Sequence, residues 1–247
     1  MDRLIYIAMN GAKHTMLQQA QVAHNLANAS TTGYKAEANS FRALPVLGEG
    51  AQTRTFVVDS TTGADLSAGA IQNTGRDLDV AVQGKGWLAV QAADGSEAYT
   101  RNGSLLVGPN GLLQTRNGMM VMGDGGPLAV PPDAEVTIAK DGTVSIIPKG
   151  QSPNTVAVVG RIKLVNPPEA DLVKSGDGLF RLKSGMPAPA DANVALAQKS
   201  LETSNVNAVD ALVSMISLAR QYDMQVKLLQ NAENNSRQAA QIINMNG

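Results

Sequence analysis

The sequence predicts an α+β fold, with long N- and C-terminal helices paired as a coiled-coil-like layer and a central, mostly antiparallel β domain. Apolar residues recur at spacings of three and four in both terminal segments, which is typical of amphipathic helices. The middle has period-two alternation and, between residues 102 and 142, five Asx-Gly pairs typical of hairpin turns. We therefore predict a helical assembly domain (1–35 and 198–247), an extended connector (36–70) and a β-rich outer domain (71–197).

The N-terminal segment, from Asp2 to about Ala29, is predicted to form one amphipathic helix. Its apolar row contains Ile5, Met9, Ala12, Met16, Ala23 and Leu26. Small residues along it, Gly11 among them, would let a second helix approach closely. The helix should end near residues 30–33, where Gly33 suits a left-handed backbone conformation.

The C-terminal segment from Leu201 to Ile243 carries a longer pattern of the same kind, and no proline or glycine interrupts it. One unbroken helix is predicted, with Asn205 as a polar member of the row that fixes register at some cost in stability. Val206 and Ile216 widen the stripe beyond what one partner helix would cover, so several neighbours are expected. The opposite face is rich in neutral amides such as Gln225. This favours packed neighbours, with a solvated polar face as the alternative.

The middle of the chain changes from an irregular connector to strands near Ile71. Residues 78–83 alternate apolar with polar and predict a strand, a turn follows at 83–86, and 87–90 predict the next strand. Each Asx-Gly pair can supply the positive φ of a hairpin turn. Further strands are predicted at 156–165 and 179–182.

Composition excludes several classes of function. The 20 basic and 21 acidic residues nearly balance, and aromatics make up only 3% of the chain, so we expect no nucleic-acid partner. With no cysteine, the chain has no disulfide, thiolate metal site or Cys nucleophile. No apolar run reaches the length of a membrane span, and no signal peptide is recognised. We therefore expect no direct membrane insertion, and export would need a dedicated exporter.

A search for catalytic chemistry finds no convincing site. His14 and His24 are ten residues apart and out of phase on a helix, so they cannot form a helical metal pair. Asp77 and Asp79 would share one strand face, for which a solvated surface is a better interpretation than a glycosidase pair. We predict a non-enzymatic protein without catalytic, cofactor-binding or metal-binding residues.

Three motifs resemble the flagellar rod and hook protein family. They are the helix end at residues 25–35 (NLANASTTGYK), the strand-turn-strand at 74–87 (TGRDLDVAVQGKGW) with its continuation from Tyr99 to Gly118, and the C-terminal LETSNVN at 201–207. Thr32 and Trp87 stand where the family more often has proline and phenylalanine. The opening residues and the modest length are most similar to the proximal-rod members.

This resemblance implies a structural subunit of the basal-body rod in the periplasm, which assembles axially through its terminal helices to transmit torque. Its partners would be copies of itself, other flagellar rod proteins and the flagellar type III export apparatus. Alternatives are a distal-rod or hook-type axial protein, or a secreted β-rich binding module with a coiled-coil oligomerisation tail. A cytoplasmic chaperone or adaptor is a third class.

We expect the assembly interface to contain the apolar helix positions and the residues at both helix boundaries. These are Ile5, Met9, Ala12, Met16, Leu26, Asn28, Gly33, Tyr34, Leu201, Asn205, Val206, Leu212, Met215, Ile216, Ala219, Tyr222, Val226 and Leu229.

Overall fold

The computed structural model describes residues 2–45, 55–131, 134–148 and 156–245. The α+β class is confirmed, since two helices flank a series of strands along the chain. The elements follow in the order α1 (Asp2–Ala27), β1 (Glu37–Pro45), β2 (Thr55–Ala64), β3 (Ile71–Asn73), β4 (Val80–Gln83), β5 (Trp87–Gln91), β6 (Glu97–Thr100), β7 (Leu105–Val107), β8 (Leu113–Thr115), β9 (Met120–Gly123), β10 (Gly126–Pro127), β11 (Ala134–Ile138), β12 (Thr143–Pro148), β13 (Ala157–Arg161), β14 (Leu164–Val165), a 3-10 turn (Glu169–Asp171), β15 (Leu172–Lys174), β16 (Phe180–Leu182), β17 (Ala195–Gln198), β18 (Ser200–Glu202) and α2 (Ala208–Met245).

The chain divides into two compact units. Unit 1 comprises Met1–Ala27, Glu37–Gly63 and Asn207–Gly247, and unit 2 comprises Asn28–Ala36 and Ala64–Val206. Unit 1 therefore contains both helices and the paired strands β1 and β2. Residues 46–54 of the predicted connector lie outside the described residues.

Unit 2 is built around a nine-stranded sheet with the order β15-β16-β6-β5-β9-β8-β7, in which β10 also pairs with β9 and β14 with β5. Strand β5 is central because β6 pairs along one of its edges, while β14 and β9 share the other. Smaller sheets join β11-β12-β13, β4 with β17, and β3 with β18. All described pairings in unit 2 are antiparallel.

The core of unit 2 lies between these sheets. A large apolar cluster includes Val80, Leu88 and Leu113, and a second one forms around Trp87 and Phe180, whose ring centroids are 4.5 Å apart. Strand β4 was predicted to bury one face only, but Val80, Ala81 and Val82 are all buried. The prediction of a half-exposed strand is therefore wrong, because β4 is covered on both faces.

The predicted helix start at Leu201 is also wrong. Residues 200–202 form β18, and α2 begins at Ala208. Asn207 caps this helix, since its Oδ1 accepts hydrogen bonds from the backbone N–H groups of Val209 and Asp210 at 3.0 and 3.4 Å. An Asn cap satisfies donors that have no partner within the helix, and so it fixes where the helix begins. At the other end of the chain, α1 ends at Ala27.

The Asx-Gly pairs form the predicted turns at three of five positions, with positive φ at Gly111, Gly118 and Gly142. In the Asp124-Gly125 pair, the positive φ of +124° falls on the next residue, Gly126. Gly103 has another role, because its φ lies outside the left-handed region and an added Cβ would lie 1.8 Å from the Val80 carbonyl oxygen. A glycine is needed there for close backbone approach.

The single strand predicted at 156–165 is instead two strands, β13 and β14, which belong to different sheets. The strand predicted at 179–182 is present as β16. No helix within the described ranges is both long and apolar enough to cross a membrane.

Candidate assembly surface and chain junction

Helices α1 and α2 contact each other through a face of small side chains. A Cβ atom added at Gly11 would lie 3.0 Å from Nε2 of Gln225. The hydroxyl of Thr15 donates to the Gly11 carbonyl at 3.0 Å and lies 3.4 Å from Oε1 of Gln225. Among the described residues of the two helices, Ala12, Thr15 and Ala232 are the buried ones. The two helix backbones approach closely because this face lacks bulky side chains.

The two helices run antiparallel. Gly11 and Thr15 of α1 meet Gln225 of α2. Further along α1, residues 18, 21 and 22 line a groove together with residues 213, 214, 217 and 218 of α2. Rising residue numbers on α1 therefore meet falling numbers on α2.

The contact face of α1 differs from the predicted apolar row. Ala12 and Thr15 are buried, whereas Met9 and Met16 are 54% and 63% exposed. Small residues allow the closest helix approach, and this criterion outweighs side-chain hydrophobicity here. Met9 and Met16 therefore lie on the outside of the helix pair.

Helix α2 shows a similar rotation of the predicted row. Met215 and Leu229 are half-buried, as are the neighbours Ala211 and Leu218, which the predicted row did not contain. Leu212 of the predicted row is exposed. Of the remaining predicted positions on the two helices, the half-buried ones are Ile5, Leu26, Ala219 and Val226.

Large apolar side chains remain exposed on both helices, and we call them the outer apolar surface. They are Tyr6, Ile7, Met9, Met16 and Leu17 on α1, and Val209, Leu212, Val213, Ile216, Tyr222, Met224 and Leu228 on α2. Each is between 36% and 67% exposed. Exposed apolar surface of this kind is typical of interaction sites.

A second cluster, which we call the junction, lies within unit 2 and is centred on Glu202. Its carboxylate accepts hydrogen bonds from Lys35 Nζ at 2.6 Å, from Arg101 Nη1 at 2.9 Å and from the Gly69 N–H at 2.9 Å. The backbone carbonyl of Glu202 accepts from the Gly33 N–H at 2.8 Å. Lys35 and Glu202 are each 1% exposed. Removing one partner of such a buried pair typically costs about 3–5 kcal/mol, because the other charge is left uncompensated.

The remaining polar atoms of the two cations are largely occupied. Lys35 Nζ also donates to the Ser67 carbonyl at 2.7 Å, and Arg101 Nη2 donates to the Gly84 carbonyl at 2.8 Å. The Arg101 guanidinium lies 5.2 Å from the centre of the Trp87 ring. Burial lowers the pKa of the Lys35 ammonium, while the hydrogen bond to Glu202 opposes that shift.

Asn205 completes the junction, which we define as Gly33, Lys35, Ala36, Asp65, Ser67, Gly69, Arg101, Glu202 and Asn205. The Ala36 N–H donates to Asn205 Oδ1 at 2.8 Å, and Asn205 Nδ2 donates to the Asp65 carbonyl at 2.9 Å. The predicted place of Asn205 on a helical seam is therefore wrong, since α2 begins three residues later. Its amide instead links three separate chain segments.

Other predicted interface residues lie in unit 2, at or beside the junction. Gly33 has a φ of +67°, and an added Cβ would lie 2.3 Å from the Arg101 carbonyl carbon. Lys174 Nζ lies 4.1 Å from the centre of the Tyr34 ring. Asn28, Leu201 and Val206 are half-buried in the same unit.

Sequence reasoning missed Lys35, Arg101 and Glu202. All three lie inside the motifs quoted above, and Lys35 and Glu202 are each the single charged residue of their motif. That pattern could have indicated buried charges. It could not have indicated that the three side chains meet, because they are far apart in the sequence.

The residues considered for catalysis have structural partners. Asp77 forms an ion pair with Lys199 at 2.7 Å, while Asp79 is buried and accepts a hydrogen bond from the Thr74 hydroxyl at 2.7 Å. The predicted solvated face is thus wrong for Asp79. His24 Nδ1 lies 3.3 Å from Glu37 Oε2. Within the described ranges, no group of three or more His, Cys, Asp or Glu could hold a metal ion.

Three family models match the chain. Residues 5–35 match "Flagella basal body rod protein", residues 81–146 match "Flagellar hook protein FlgE/F/G D1 domain", and residues 197–242 match "Flagellar basal body rod FlgEFG protein C-terminal". Lys35, Arg101 and Glu202 fall within these three matches, one in each.

Curated relatives extend the match over the full length. The chain is 48% identical to the flagellar basal-body rod protein FlgF of Salmonella typhimurium and 49% identical to that of Escherichia coli, in both cases over 99% of this chain and 100% of the relative. It is 30% identical to the flagellar basal-body rod protein FlgG of Buchnera aphidicola subsp. Baizongia pistaciae, over 93% of this chain and 95% of that protein.

Proposed function

This chain belongs to the flagellar basal-body rod protein family, and on that premise we propose that it is a structural subunit of the proximal rod. Its terminal helices pair as a coiled-coil-like assembly domain, and the β-rich unit is the outer domain. Subunits stack axially through the helices and transmit torque along the rod. Its partners are copies of itself and other rod proteins.

The outer apolar surface is the observation that supports this proposal. Met16, Val213 and Ile216 remain exposed although α1 and α2 already contact each other. Long helices gain most of their stability from packing, so such a pair favours further helical neighbours. A contact between two different patches of the same surface extends into an open helical assembly when the rotation between neighbouring subunits does not close a ring.

Two FlgF relatives, from Salmonella typhimurium and Escherichia coli, are 48–49% identical to the chain, whereas the FlgG relatives are 28–30% identical, as is one Buchnera FlgF at 28%. This difference favours the proximal-rod role over a distal-rod or hook-type role. We place the protein in the rod that spans the periplasm, exported by the flagellar type III apparatus without a cleaved signal peptide. We propose no catalytic activity and no cofactor for it.

A pair of matched methionine substitutions tests the assembly role. Met16→Gln changes a side chain of the outer apolar surface that is 63% exposed, and the control Met186→Gln changes one in unit 2 that is 68% exposed. In a strain lacking the native protein, we expect M16Q to reduce swimming and rod assembly at least about tenfold, because a polar amide replaces buried apolar area in the assembly. M186Q should restore both.

Two outcomes would contradict the proposal. Equal swimming and rod assembly with M16Q and M186Q would show that the outer apolar surface does not carry assembly. Light scattering of the purified wild-type chain gives the second readout, since a closed trimer of fixed mass at every concentration would favour a secreted binding module.

A further inference from the structure

Two segments far apart in the sequence are fastened together by buried polar groups. Residues 33–36 follow α1, and residues 200–206 precede α2. The carboxylate of Glu202 binds Lys35 at 2.6 Å, and its carbonyl accepts from the Gly33 N–H at 2.8 Å. The first segment is also held outside Glu202, since its Lys35 carbonyl accepts from Lys174 Nζ at 2.9 Å and its Ala36 carbonyl accepts from the Asp65 N–H at 2.8 Å.

The junction contains residues next to three of the points at which the chain changes from one unit to the other. The chain changes unit after residues 27, 36, 63 and 206. Asn205 accepts from the Ala36 N–H at 2.8 Å and donates to the Asp65 carbonyl at 2.9 Å. The side-chain amide of Asn205 thus joins the unit 2 residues that lie next to three of these four changes.

The forces that hold the junction differ from those that hold the sheet. Lys35, Arg101 and Glu202 are joined by charge-assisted hydrogen bonds, whereas the strands around Ala89 and Leu113 are packed by apolar side chains. Hydrogen bonds within one network strengthen each other. Loss of one member of the network weakens the others, while the apolar packing of the sheet persists.

We propose that the junction is a latch, a cooperative unit that opens and closes as a whole and separately from the nine-stranded sheet. When it opens, residues 33–36, 65–69 and 200–206 are released together. When it closes, Glu202 and Asn205 hold these three segments together at the same time. The latch acts within unit 2 of a single chain, so it does not depend on the proposed role in a rod.

Amide hydrogen exchange of the full-length chain tests the latch. Gly33, Ala36 and Gly69 report on the junction because their N–H groups bind Glu202 or Asn205. Ala89 and Leu113 report on the sheet, since their N–H groups bind the carbonyls of Lys163 and Leu128.

Two variants break the latch at different atoms, and a third is the matched control. We expect Glu202→Gln to raise exchange at the three junction amides by a common factor on the order of 100, with less than about a threefold change at the sheet amides. Asn205→Ala should raise the same three amides together by about tenfold. Glu97→Gln removes a half-buried carboxylate of unit 2, paired with Lys163 at 2.8 Å, and should leave the junction amides unchanged.

The outcomes separate a latch from ordinary loss of stability. A uniform rise at junction and sheet amides in E202Q would overturn the latch, and so would an N205A effect confined to Ala36. If E202Q does not fold, N205A decides alone, because a common rise at Gly33 and Gly69 supports the latch and unchanged exchange there refutes it.

Discussion

In unit 2 the side chains of Val80, Leu88 and Leu113 are at most 1% exposed, whereas in unit 1 Met16, Val209 and Val213 are 62–67% exposed. Both units contain enough apolar residues to form a core. Unit 2 buries them between its own sheets, while unit 1 brings its helices together on a face of small residues and leaves the larger ones outside. Unit 2 therefore buries its apolar side chains within one chain, and the proposed assembly would supply the neighbours that unit 1 lacks.

The largest expected effect comes from matched leucine truncations in the two units. Leu113→Ala, in the core of unit 2, should lower the free energy of unfolding by about 2–5 kcal/mol because it leaves a cavity. Leu228→Ala, on the exposed face of α2, should change it by less than about 0.5 kcal/mol in the free chain. Urea titration measures both effects when it is followed by the fluorescence of Trp87, the single tryptophan, for unit 2 and by helical circular dichroism for unit 1. Equal losses of unfolding free energy in the two variants would contradict the contrast between the units.

A smaller effect is expected from adding a methyl group at the junction. Gly33 and Gly75 have similar positive φ values of +67° and +75°, but only at Gly33 would the new Cβ meet backbone atoms, at 2.3 Å. Gly75→Ala should cost about 1 kcal/mol for the left-handed conformation, and Gly33→Ala about 3 kcal/mol because steric overlap is added. Thermal unfolding compares the two variants. Equal costs would mean that Arg101 and Gly33 do not approach as closely as described.

The smallest expected effect is a pH dependence that belongs to unit 2. Burial raises the pKa of Tyr99 from 10.0 to about 12. A group whose pKa is raised on folding stabilises the folded state fully at low pH and loses that contribution as the pH rises through the folded value. The stability advantage of the wild type over Tyr99→Phe should therefore shrink by about 2 kcal/mol between about pH 9 and 12.

At neutral pH the same Tyr99 substitution should already cost about 1–3 kcal/mol, since the Ala188 N–H, which is 2.6 Å from the Tyr99 hydroxyl, loses its buried acceptor. Tyr222→Phe on α2 is the control. A difference between wild type and Y99F that stays constant over this pH range would contradict the expectation.

The sequence predicts whether a region is helical or β-rich better than it predicts where elements begin and how they pair. Periodicity located both helices and the strands β4, β5 and β16, because such patterns are local. It placed the start of α2 at Leu201, since the spacing of Leu201 and Ala208 happens to fit a heptad row. The helix begins only after the Asn207 cap, because residues 200–202 pair with β3. Pairing between distant segments leaves no local signature.

The same limit explains the rotated helix face and the missed junction. The apolar row placed Met9 and Met16 beside Ala12, but of these three only Ala12 is buried, whereas the close approach predicted at Gly11 is present, beside Gln225 of α2. The meeting of Lys35, Arg101 and Glu202 depends on the completed topology. By contrast, the turns at Gly111, Gly118 and Gly142 follow from their own residue pairs and were predicted correctly.

Three of the four points at which the chain changes unit lie near Asn205. This arrangement has a consequence for how such a protein can be enlarged. Both helices belong to unit 1, and the longer segment of unit 2, residues 64–206, begins and ends close to the hydrogen bond between Asn205 and the Asp65 carbonyl. Extra sequence inserted at a hairpin turn of unit 2, such as Asn117-Gly118, would lengthen residues 64–206 while leaving the junction and the terminal helices unchanged. A protein organised in this way can be enlarged in its middle without changing its terminal helices.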